Sequence, residues 1–265
     1  MGASVMSASE FEDLLGRVEH KSQEMVQAVN DLLAKLKHWA SFLGPLGHGI
    51  GDALRWVGQR IVDFANWLAD LITHPGVPWT LWNHGSDWSG APIAGKISNL
   101  VGKATLDETR VDDAWTGPAA DAYKNTLPRQ KEAMGKLVTY AQQIDDALTK
   151  MAIAIGALWL AILSAIIAAL VEYLGEGAAA STGVGAPPAA AAAGVSTAKL
   201  LGIISGALDL FFGFIVVTTL PVLKELRQNL TDNSAFPDGN WPRSTTDMSD
   251  GSLSDGDTTD WHVRY

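Results

Sequence analysis

The sequence predicts an all-α protein, an elongated helical bundle that carries two apolar helices and ends in an acidic tail. Three observations predict it. Apolar residues recur at steps of three and four through 9–43, 50–73 and 119–148, the period of a helix with one buried stripe. No alternating run of useful strand length appears. Residues 151–171 hold no charged side chain, and 200–223 hold only Asp209.

The first helix is expected over 9–43, its apolar positions being Phe11, Leu14, Leu15, Val18, Met25, Val26, Val29, Leu32, Leu33, Leu36, Trp39, Ala40 and Leu43. Ser9, with Glu12 and Asp13 behind it, reads as the N-cap, and Gly44-Pro45 ends the period. A second helix over 50–73 places Ile50, Leu54, Val57, Ile61, Phe64, Ala65, Leu68 and Ile72 on one side. The short connection pairs the two as an antiparallel hairpin, residues 1–74. Residues 75–92, with three prolines, three glycines and three tryptophans, read as a loop, the tryptophans capping a bundle end. A second hairpin follows over 93–150, turning at Trp115-Thr116-Gly117, with Pro128 expected to kink its later helix. The apolar hairpin occupies 151–230, and Pro187-Pro188 reads as the start of its second helix. Residues 231–265 carry seven Asp against two Arg and are expected to be disordered.

The apolar runs of 21 and 24 residues match the roughly 20 needed to cross a hydrocarbon core of about 30 Å. A membrane hairpin is the expectation. The competing reading is an unusually apolar core pair in a soluble bundle. On the second run Gly202, Gly206, Asp209 and Gly213 share a helix face, and on the first Ala154, Ala157, Ala161, Ser164 and Ala168 do the same. Small residues let membrane helices approach closely. Antiparallel pairing would bring Ser164 beside Asp209, so Asp209 is expected between the helices, protonated or hydrogen-bonded to Ser164, where it would serve an ion or water path in an oligomer; a plain polar pairing residue or a surface position of a soluble bundle is the alternative. Lys131, Lys136 and Lys150 precede the first run and Lys224 and Arg227 follow the second, which places both ends in the cytoplasm of a cell that keeps the protein in its own membrane.

A net charge of −10 argues against nucleic acid as a partner, since phosphate binding needs clustered cations. With no cysteine, thiolate chemistry and disulfides are excluded. The six histidines show no metal spacing, His84 with Asp87 being the best local pair, and no nucleophile elbow or triad appears. No cofactor and no enzymatic activity are expected. Met1 to Ser9 lacks the basic and apolar parts of a signal peptide, and Met6 breaks a myristoylation pattern at Gly2.

Trp115-Thr116-Gly117 is followed by Pro118-Ala119-Ala120-Asp121-Ala122-Tyr123 between two helical periods. This Trp-X-Gly-x-Ala-Ala-x-x-Tyr pattern resembles the Trp-X-Gly family of ESX, or type VII, secretion proteins of actinobacteria, over about residues 93–150. The resemblance implies a helical hairpin that assembles as a homo-oligomer or with a small Trp-X-Gly partner into a four-helix bundle. It also implies no catalysis, and export by an ATPase-driven secretion machine that reads Trp115, Gly117 and Tyr123. Trp115 can equally serve as the plug of the hairpin turn. The family's second signal, a Tyr with an acid four residues on, is absent: Tyr123 meets Leu127, Tyr140 meets Ile144 and Tyr173 meets Gly177. A partner chain, or the first hairpin acting in cis, would then have to supply it. Trp88-Ser89-Gly90 lacks the following residues and reads as loop. The expected function is that of a secretion-associated protein that enters a membrane; a resident two-pass scaffold, or a soluble carrier with a buried apolar hairpin, are the alternatives.

Overall fold

The computed structural model describes residues 5–42, 48–111, 115–182, 184–231, 234–243 and 262–263, and within them the side chains of 48–50, 115, 118, 119, 230, 262 and 263 are left aside. The chain is all-α, as the periodicity predicts. Its helices are α1 (Ala8–Phe42), α2 (His48–Thr73), α3 (Pro78–Ser89), α4 (Lys96–Lys103), α5 (Leu106–Thr109), α6 (Pro118–Ala180), α7 (Ala186–Phe214) and α8 (Leu220–Leu230). A π-helical turn, Ala91–Gly95, leads into α4, and another, Ile215–Thr219, joins α7 to α8. Two compact units divide the chain: residues 1–79 with 151–215, and 80–150 with 216–265.

In the first unit, α1 packs on α2 and α2 on α7. The stripe read from the sequence is the one buried: Phe11, Val18, Met25, Leu32 and Leu36 of α1 are at most 1% exposed, and Val57, Ile61, Phe64 and Leu68 of α2 join them. The α1 N-cap lies two residues earlier than expected. Ser7 Oγ accepts from the Glu10 amide (3.3 Å) while Glu10 Oε2 accepts from the Ser7 amide (2.8 Å), a reciprocal capping box that Ser9 lacks the geometry to make.

The expected loop over 75–92 is instead largely helical. Pro78 occupies the first turn of α3, where a missing N–H costs no hydrogen bond, so the proline starts the helix that it was read as breaking. Gly85 inside α3 answers a steric need. A Cβ there would stand 2.5 Å from Asp145 Oδ1 and 3.3 Å from its Cα, both on α6 in the same unit. Of the three tryptophans expected to cap a bundle end, Trp79 packs against the core with its ring 5.6 Å from Phe11, whereas Trp82 and Trp88 are exposed.

In the second unit α6 runs unbroken through Pro128. Part of the expected tail is packed there: Ala235 and Phe236 bury against Ala133 and Tyr140 of α6, and Lys136 Nζ reaches Ser234 Oγ at 3.0 Å. Residues 244–261, where the disordered tail was expected, lie outside the described residues. The one strand pair among the described residues is β1 (Trp115–Thr116) against β2 (His262–Val263), antiparallel, with Trp115 opposite Val263.

Candidate membrane-facing site

Residues 151–180 of α6 and 186–214 of α7 form the apolar hairpin. Proline and glycine set its turn: Gly185 precedes α7, and Pro187 and Pro188 stand in the first turn with preset φ. Three polar contacts fix the pairing. Tyr173 Oη lies 2.8 Å from Thr197 Oγ1, Ser196 Oγ donates to Glu176 Oε1 at 2.6 Å, and Lys199 Nζ donates to Glu172 at 2.9 Å. All lie at the turn end of the hairpin, just beyond the apolar runs. Burial pushes the Tyr173 hydroxyl up to about 12 and raises the Glu176 carboxyl above the ordinary glutamate value. Glu176 Oε2 is buried with no hydrogen-bond partner among the described residues, which adds to the cost of ionising it.

The two helices bury themselves unequally. On α6, Leu158, Trp159, Ile162, Leu163, Ile166, Ala169, Leu170 and Tyr173 form a stripe against the amphipathic helices, and Phe11 meets Trp159 edge-on at 6.4 Å. Its opposite stripe, Leu160, Ser164, Ile167, Val171 and Leu174, is exposed. On α7 the buried stripe of Ala186, Ala189, Ala190, Ala193, Thr197, Leu200 and Ile204 stops at Ile204. Beyond it Leu210 is 78% and Val217 72% exposed. Within the most apolar 18-residue windows, mean hydropathy is 2.6 on α6 with half the window buried, and 2.3 on the α7–α8 stretch with only 11% buried. A soluble core helix of that composition is mostly buried, whereas this one is apolar all round and bare. Both helices are long and apolar enough to cross a membrane.

The sequence-predicted packing residues fall elsewhere than expected. The pairs 173–197 and 172–199 set the two helices antiparallel at the turn end, but Ser164 and Asp209 do not meet as expected. Ser164 is exposed and its hydroxyl donates to the Leu160 carbonyl of its own helix at 2.8 Å. Asp209 is exposed as well and makes no contact with Ser164. A Cβ added at Gly202, Gly206 or Gly213 would meet nothing within 4 Å, so among the described residues no helix packs closely against this stripe. The larger residues at Leu200 and Ile204 took the inward face because they bury more apolar area than glycine offers. What the sequence reading missed is the polar clasp of Tyr173, Glu176, Ser196 and Thr197; its signal was the placement of Glu172, Glu176 and Lys199 immediately outside the two apolar runs.

At the Trp-X-Gly turn, Gly117 has φ 111°, a conformation that only glycine adopts without strain. The Asp121 amide returns to the Gly117 carbonyl at 3.0 Å and starts α6. Tyr123 lies half-buried in the second turn of that helix. Trp115 contributes its backbone to the pair with Val263.

Fold and surface together define a class: an all-α protein with two helices able to span a membrane. No protein-family model matches the chain, and no match was found among curated proteins or solved structures.

Proposed function

We propose that this chain is a non-catalytic protein that enters a membrane through the hairpin of α6 and α7, as a component or substrate of a type VII secretion system. The observation that carries the membrane part is the α7–α8 window, 18 residues at mean hydropathy 2.3 with only 11% of them buried. In water that surface is largely uncovered by the described residues, and lipid matches its apolar side chains while helical hydrogen bonding satisfies the backbone; the exposed Asp209 is the one charged group that insertion has to accommodate. On α6 the amphipathic helices α1 and α2 cover the apolar stripe, so full insertion exchanges those neighbours for lipid. The secretion part rests on the Trp115-Thr116-Gly117 turn and the resemblance that it carries. In this reading Trp115, Gly117 and Tyr123 form the surface read by the secretion ATPase or by a small Trp-X-Gly partner, and the inserted hairpin assembles as an oligomer.

A resident two-pass scaffold is the second reading, favoured by Lys150, Lys224 and Arg227 flanking the hairpin while the linker between the apolar runs carries Glu172, Glu176 and a single cation, Lys199. Fractionation of cells expressing the full chain separates them. Appearance in the culture medium that is lost with Trp115→Ala or Gly117→Ala supports export, and carbonate-resistant membrane residence without export supports the scaffold. A chain that stays in the cytosol and fails to float with liposomes contradicts both.

A further inference from the structure

A second feature, independent of the hairpin, lies in the unit that holds Ala133 and Phe236. Arg129 on α6 and Arg243 after the packed tail segment line one concavity of about 370 Å³, together with Asn240, Trp241 and two prolines. The chain is strongly acidic, so a cation normally finds a carboxylate; here neither guanidinium has an ion pair or hydrogen bond among the described residues. The nearby acids are otherwise engaged: Glu132 pairs with Lys136 at 3.9 Å, and Asp238 has an interaction of its own.

The walls are held in place. Ala235 and Phe236 are buried against α6, and Gln130 Nε2 donates to the Pro242 carbonyl at 2.9 Å. Between these anchors Asp238 and Gly239, at φ 53° and 72°, turn the chain, and Asn240 Nδ2 closes on the Asp238 carbonyl at 3.0 Å. Trp241 stays 42% exposed at the rim. Two forked guanidiniums and an aromatic face on a constrained turn suit a planar or tetrahedral oxyanion attached to an organic group. Two positive charges match a phosphomonoester, which carries about −1.5 to −2, better than a single carboxylate.

We propose that this concavity binds a phosphomonoester, presented either by a lipid headgroup or by a soluble phosphorylated molecule. The test is a titration of the purified full chain with phenyl phosphate and, separately, with vesicles of phosphatidylcholine alone or doped with phosphatidic acid. Saturable binding that falls about tenfold or more in R129A/R243A, and holds in the control Arg110→Ala, supports the site. Phenyl phosphate that binds and displaces the chain from phosphatidic acid identifies a soluble ligand class, while binding on vesicles alone identifies the headgroup. Equal binding by R129A/R243A, or no binding in either arm, overturns the proposal. Circular dichroism checks that the double variant keeps its helices, which is expected because both arginines are exposed. Association with pure phosphatidylcholine reports on the hairpin, so failure of one idea is read separately from failure of the other.

Discussion

The indole Nε1–H of Trp159 donates to the carbonyl oxygen of Pro75 across 2.8 Å, which ties the first apolar run to the end of the N-terminal hairpin. Trp159 is 1% exposed and stacks edge-on to Phe11, so its ring belongs to the core of the first unit. Trp159→Phe keeps most of the ring and loses the bond, with an expected cost of about 1 kcal/mol. Trp159→Ala opens a cavity and costs about 3–5 kcal/mol. Urea unfolding followed by circular dichroism ranks the two, and an equal loss would show that the bond, not the packing, dominates.

Glu176 sets a pH dependence of the first unit. Burial raises its carboxyl, with Glu172 adding to the rise, while Ser196 and Lys199 oppose it. The fold therefore prefers the protonated form. That contribution is complete below the ordinary glutamate value and is lost as pH rises through the elevated folded value. Glu176→Gln, which keeps an acceptor for Ser196, should raise the melting temperature at pH 7 and leave it little changed at pH 4. A variant less stable than the parent at pH 7 would contradict the sign.

Phe236 is 7% exposed against Ala133 and Tyr140. Phe236→Ala should cost the docked segment about 3 kcal/mol. Hydrogen exchange would then quicken over 234–243 and leave α1 and α2 unchanged. Unchanged exchange at 234–243 would mean that the aromatic ring does not hold this segment.

Gly117 at φ 111° makes the Trp-X-Gly turn sensitive to any side chain. Gly117→Ala should destabilise the second unit by about 1–3 kcal/mol through backbone strain alone. Thermal melts of the variant measure this, and they matter for any export assay, because loss of secretion with an unchanged melt points to recognition while loss with a lowered melt points to folding.

The helices were legible because a 3.6-residue period survives in sequence, and α1 and α2 begin within two residues of where Ser9 and Ile50 placed them. Local chemistry decided the misreadings. In sequence Pro78 reads as a breaker although the first turn of a helix tolerates it, and Gly85 reads as a loop marker although it answers the approach of Asp145. The antiparallel pairing of α6 and α7 followed from the position of the turn. Their rotation did not, since the period marks both a small-residue stripe and a Leu/Ile stripe on α7, and only burial against α2 selects between them. The Arg129 and Arg243 concavity had no sequence signal, its two cations lying 114 positions apart.

The open face of α7 is proposed to meet lipid, and because the chain has no cysteine a single introduced thiol can report on it. Leu210→Cys, 78% exposed, and Gln23→Cys on the wet face of α1 are each labelled with an environment-sensitive dye and mixed with vesicles. The account predicts a blue shift and protection from an aqueous quencher at 210 and no change at 23. A dye at 210 that stays equally quenched with and without vesicles would contradict it.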